Sequence, residues 1–183
     1  MNDEAAAIAA CLQGAGEEYK AVVDRYKGPL MAAAVNILGN REDAEDVCQE
    51  TFIRAYRNLA AYEPDRSFKN WIFSILYHGC LDVLKKKRRF RAAESRLKNE
   101  IPRPASGRAA NDPGPGGSPG IGEAILARLS AKERTVVVLW ASEGFTSAEI
   151  AGVLGCSAST ARVTLFNARK KLKTHLENNH GSF

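Results

Sequence analysis

His78 and Asp82 stand four residues apart, a spacing that can set an imidazole and a carboxylate on one helix face. They are the nearest approach to a catalytic pair in this chain. No nucleophile–histidine pairing, carboxylate pair, phosphate-cradling glycine loop or metal-ligand cluster occurs at usable spacing. Cys11, Cys48, Cys80 and Cys156 lie far apart, each inside an apolar pattern, and read as buried free thiols. His175 and His180 lack a third ligand and read as part of a solvated tail. Neither enzyme chemistry nor a metal or cofactor is expected. What remains is nucleic-acid recognition. Lys85 to Arg91 carries six basic residues in seven, the composition of a phosphate-tracking surface. Thr146 to Lys173 reads as two helices about a tight turn, the second basic on one side and apolar on the other. Asp82 reads as half of a buried ion pair.

The elements that must position these groups are helical throughout. Residues 17–38 read as a helix, a break at Gly28-Pro29, and helix again. Gly39-Asn40 supplies a stop, and Asp43 a cap for the next helix, Asp43 to Leu59. Its core face carries Ala44, Val47, Cys48, Thr51, Phe52, Ala55 and Leu59. Opposite lie Asp46, Gln49, Glu50, Ile53 and Arg57. A solvated face is the plain reading, but Ile53 at its centre points toward a partner surface. Tyr62 to Ser67 is a loop, and helix resumes from Phe68 to about Arg89. Phe68, Trp71, Ile72, Ile75, Leu76, Gly79 and Val83 form its core seam, with Ser74, His78, Leu81 and Lys85 along the flank.

Residues 92–120 hold five of the seven prolines and little apolar content after Ile101, the composition of a flexible linker. Beyond it, Ile121, Ile125, Leu126 and Leu129 sketch a short helix. Ser130 to Glu133 and Thr146 to Glu149 are capping boxes, the first opening a helix with Val136, Val137, Leu139 and Trp140. Gly144 closes that helix, Gly155 supplies the left-handed turn residue, and Ser157 caps the last helix. Ala161, Leu165, Ala168, Leu172 and Leu176 make its core stripe, while Ser159, Arg162, Val163, Phe166 and Lys170 face away, bordered by Arg169 and Lys173. The expected fold is all-α: two small helical domains, 17–91 and 121–176, on a linker of 92–120.

Composition sets outer bounds. Lys and Arg number 26 against 21 Asp and Glu, a net charge of +5, and that excess points only weakly to nucleic acid because distribution decides. The N-terminus has no signal-peptide pattern, and no run nears the roughly 18 apolar residues of a membrane span. A soluble, cytoplasmic protein without membrane insertion is expected.

Two separated segments resemble the extracytoplasmic-function sigma factors of bacterial RNA polymerase. Asp43 to Leu59, with Ser67-Phe-Lys-Asn-Trp-Ile and Leu81-Asp-Val-Leu-Lys-Lys, is similar to sigma region 2. Leu129-Ser-Ala-Lys-Glu-Arg, Gly144 to Gly155 and Ala168-Arg-Lys-Lys-Leu172 are similar to sigma region 4. The resemblance implies that Asp46, Gln49, Glu50, Ile53 and Arg57 dock on the clamp helices of the polymerase largest subunit, with the flap a second contact. It implies capture of the melted −10 strand by Tyr62, Arg66, Ser74, His78, Lys85, Lys86 and Arg89. It implies −35 reading by Ser157, Ser159, Thr160, Arg162, Val163, Phe166, Arg169 and Lys170, and control by an anti-sigma factor. The reading helix departs from the family pattern at Ser159, Ala161, Arg162, Val163, Thr164 and Asn167, and His78 stands where many relatives have Asn. A stand-alone helix-turn-helix regulator is the alternative, distinguished by tight duplex binding without polymerase.

Overall fold

The computed structural model describes residues 3–99, 125–126 and 128–180, with no strand among them. Its α-helices are α1 (Asp3–Leu12), α2 (Tyr19–Leu38), α3 (Arg41–Arg57), α4 (Phe68–Asn99), α5 (Ala131–Ala141), α6 (Ser147–Leu154) and α7 (Ala158–His180). Two 3₁₀ turns, Gly16–Glu18 and Leu59–Ala61, link the early helices.

Helix α2 runs unbroken through Gly28-Pro29, where the sequence suggested a break. Tyr26, Leu30 and Ala33 are buried on both sides of the proline. Packing there outweighs the lost backbone bond, and Gly28 has no Cβ for the proline ring to clash with. The cap of α3 is Asn40, not Asp43: the Asp43 amide donates to Asn40 Oδ1 at 2.8 Å. Asp43 instead sits in the first turn, where its charge suits the helix dipole and pairs with Lys87 of α4. Helix α3 ends at Arg57, and Leu59 is buried from the 3₁₀ turn instead. Helix α4 continues to Asn99, ten residues past Arg89. The remaining linker, Ile121 and the His180 side chain lie outside the described residues. Helix α1, unread in the sequence, docks on α2 through buried Ala7 and Ile8 and a Tyr26 hydroxyl that donates to Glu4 at 2.6 Å.

The first four helices enclose Val22, Leu30, Ala34, Ile37, Ala44, Val47, Thr51, Ala55, Phe68, Ile72 and Leu76. The second core gathers Val136, Leu139, Ile150, Val153, Ala161, Leu165 and Ala168. Leu176, expected in the core stripe of α7, is exposed because α7 outruns the two helices beneath it.

The halves do not stand apart. Helix α2 packs on α5, and α4 packs on α6. Phe73 meets Phe145 edge-on, their centroids 5.2 Å apart. Lys69 Nζ donates to the Glu143 carbonyl at 2.7 Å and lies 4.7 Å from the Phe145 ring centroid. Arg134 donates from Nη1 to the Ile37 carbonyl at 2.8 Å and from Nε to that of Leu126 at 3.0 Å.

Both capping boxes close. Glu133 accepts from the Ser130 amide and Glu149 from the Thr146 amide, at 3.0 and 2.8 Å. The bond from Lys171 chiefly holds Glu133 below the ordinary carboxylate value of 4.5; for Glu149 the Thr146 amide does so. Depressed folded values mean stability present above pH 4.5 and lost as pH falls below it. Thr146→Ala should therefore cost about 1 kcal/mol at pH 7. Glu149→Gln removes the charge that the Thr146 amide and hydroxyl both bond, and should destabilise at pH 7 and less below pH 4.5, as followed by urea unfolding across pH; a pH-independent deficit would contradict the charged cap.

Candidate nucleic-acid interface

Three polar faces flank the buried stripes. On α3, Asp46, Gln49, Glu50, Ile53 and Arg57 are all exposed on one side. Their spacings of three and four close into a single strip. Ile53, 44% exposed, lies within it, and Glu50 accepts from Arg54 Nε at 2.7 Å.

On α4, Ser74, His78, Lys85 and Arg89 recur at intervals of four, seven and four, so they align along one stripe, with Lys86 on its edge. The Ser74 hydroxyl donates to the Trp71 carbonyl at 2.7 Å. His78 Nδ1 lies 2.7 Å from the Ser74 carbonyl and must carry the proton there, leaving Nε2 for an outside partner. Asp82 is not buried: it is exposed and meets Lys85 at 3.5 Å. Leu81, Val83 and Leu84 of this turn pack on the core, and Asp82 lies on the opposite, outward side of the helix. His78 and Asp82 therefore form no dyad. Tyr62 is half-buried against Phe68 and Trp71, at 5.2 and 5.4 Å, and its hydroxyl donates to the Arg66 carbonyl at 2.6 Å. This anchors the loop beside the stripe and leaves Arg66 exposed, paired with Glu63 at 2.7 Å. The Lys69 and Phe73 flank that meets the second half faces away from Ser74 and His78. Domain packing covers neither.

On α7, the Ser157 hydroxyl accepts from the Thr160 amide at 3.1 Å, capping the helix as expected. Gly155 holds φ +63°, the left-handed turn between α6 and α7. Ser159, Thr160, Arg162, Val163, Phe166, Arg169 and Lys170 are all exposed. Trp140 is exposed at the end of α5, and Arg169 Cζ lies 4.8 Å from its ring centroid. The sequence alone could not find this support, because α5 and α7 meet only in the fold.

Among the described residues, no group of three His, Cys, Asp or Glu could hold a metal ion, and no helix is long and apolar enough to cross a membrane. Burial pushes the Cys48 thiol up to about 11 and Cys80 to about 12, whereas Cys11 and Cys156 are only half-buried. Iodoacetamide at neutral pH should modify Cys11 and Cys156 in the native chain and reach Cys48 and Cys80 only in denaturant. Equal labelling of all four by peptide mapping would contradict that order.

A four-helix first half with a basic stripe, joined to a helix-turn-helix, defines a two-part helical DNA-recognition protein. A model of sigma-70 region 2 matches residues 22–90 and one of sigma-70 region 4 matches residues 123–172. The chain is 32% identical over 190 residues to the RNA polymerase sigma factor CnrH of Cupriavidus metallidurans, covering 97% of each. It is 29% identical over 170 residues to the ECF RNA polymerase sigma factor SigE of Mycolicibacterium smegmatis, covering 90% of this chain but only 63% of SigE. The solved structure of CnrH with the cytosolic domain of CnrY matches at a TM-score of 0.72 and 25% identity, over 97% of this chain and 99% of that one. The chain belongs to the sigma-70 family, among its extracytoplasmic-function members.

Proposed function

We propose that this chain binds core RNA polymerase and directs it to promoters, opening the −10 element with residues 17–91 and reading the −35 element with residues 121–176. It carries no catalytic chemistry of its own. The observation that carries the reading is that α3, α4 and α7 each keep an exposed polar or basic face outside the contacts that pack the two halves. On α3, Asp46, Gln49, Glu50, Ile53 and Arg57 supply the apolar-centred, polar-rimmed patch of a protein contact, assigned to the clamp helices. On α4, Ser74, His78, Lys85, Lys86 and Arg89, with Tyr62 and Arg66 beside them, offer hydrogen bonds and positive charge to an unpaired strand. On α7, the outward residues from Ser157 to Lys170 suit a major groove. The flap would hold the second domain, and an anti-sigma factor is proposed as a further partner by analogy with CnrH, solved bound to CnrY.

Distance adds a requirement. Elements named for −10 and −35 lie about 25 base pairs apart, roughly 85 Å at about 3.4 Å per step. A packed chain of this length has a radius of gyration of about 16 Å. The packed halves fall well short of that separation, so the domains must part when both elements are held. Lys69→Glu, set against Glu143, should loosen the pairing. An enlarged radius in small-angle scattering with unchanged helicity is expected; an unchanged radius would show that this contact does not hold the halves together.

The decisive test is co-elution of the purified chain with core polymerase and transcription from a defined promoter in vitro. Ile53→Asp or Asp46→Arg should weaken association at least tenfold while circular dichroism stays unchanged. Tight sequence-specific duplex binding by the chain alone would favour a stand-alone regulator.

A further inference from the structure

Two large apolar side chains stand uncovered on the outward face of α7. Phe166 is 67% exposed and Val163 is 58% exposed. They are three residues apart, so they adjoin on the helix surface, with Ser159 one turn before Val163 and two before Phe166. Arg162 and Arg169 flank them on one side, and Lys170 follows in line one turn beyond Phe166, all exposed. Neither apolar residue takes part in packing α5 or α6, whose contacts fall to Ala161, Leu165 and Ala168.

An apolar centre within a basic rim is a poor phosphate site, because phosphate oxygens want only donors. Arg162, Arg169 and Lys170 can hold the nearby backbone and fix the helix in register, without reading sequence. The centre must meet something apolar. In the major groove the base edges present donors, acceptors and one apolar group, the 5-methyl of thymine. The minor groove presents no such group.

We propose that Val163 and Phe166 are specificity-determining residues that read thymine methyl groups in the −35 element. The inference rests on α7 being the reading helix. Its consequence is sharp: recognition depends on a group that forms no hydrogen bond, and it distinguishes T·A from A·T by which strand carries the methyl.

Holoenzyme assembled from the full chain and core polymerase would select duplexes from a pool randomised upstream of the −10 region. Each −35 thymine of a selected promoter is then replaced singly by deoxyuridine, which removes the methyl and keeps every hydrogen-bonding group. At one or two positions the wild-type holoenzyme should bind the deoxyuridine duplex about fourfold more weakly, the factor for one buried methyl-sized group. Val163→Ala and Phe166→Ala should abolish that difference and leave the salt dependence of binding unchanged, whereas Lys170→Ala should lower its slope by about 1. Both side chains are exposed, so these variants should fold, as circular dichroism would verify. Equal binding of thymine and deoxyuridine everywhere, in a holoenzyme still weakened by a scrambled −35 element, overturns methyl reading and leaves the helix assignment standing. A scrambled −35 element without effect overturns both.

Discussion

The burial of α4 is the constraint from which the remaining arrangement follows. Phe68, Ile72 and Leu76 anchor one side of this helix in the core with α2 and α3. Phe73 and Lys69, on a second side, meet Phe145 and Glu143. A helix has room for one more face, and that third side carries Ser74, His78, Lys85 and Arg89. The basic stripe is thus defined by exclusion, since it is what two packed faces leave over. Gly79 belongs to the same logic, since a Cβ there would come within 3.1 Å of Val47 on α3.

The seam between the halves is buried too, with Phe73 and Phe145 in one hydrophobic cluster that runs through both halves. It combines an aromatic edge contact with polar ties from Lys69 and Arg134 to backbone carbonyls. Such ties satisfy carbonyls that solvent can also satisfy, so their net contribution is modest, about 1 kcal/mol each. The cores are built from fully buried aliphatic and aromatic groups, which lose far more on exposure.

Much of this was legible in the residues. The 3.6-residue period sorted Ala44, Val47, Cys48 and Thr51 from Asp46, Gln49, Glu50 and Ile53, and the fold keeps that division. The capping boxes at Ser130 and Thr146, Gly155 and the Ser157 cap form as their local chemistry demands. These features depend on neighbours within four residues, which is why sequence alone determined them. The errors fell where distant chain intervenes. Pro29 does not break α2 because Tyr26 and Leu30 are held by other helices. Asp82 is exposed because it lies on the outward side of α4, while Leu81, Val83 and Leu84 beside it pack on the core.

What only the tertiary structure decided is which apolar residues remain uncovered and which helices meet across the chain. Trp140 and Leu176 fit an apolar pattern as well as Leu139 and Leu165 do, yet they emerge at the surface because α5 ends beneath α7. The pairings of Arg169 with Trp140 and of Lys69 with Glu143 join residues 29 and 74 positions apart. Local pattern determines which face of a helix is apolar. Whether that face is covered depends on where its neighbours end, and helix ends in three dimensions are set by packing, not by period.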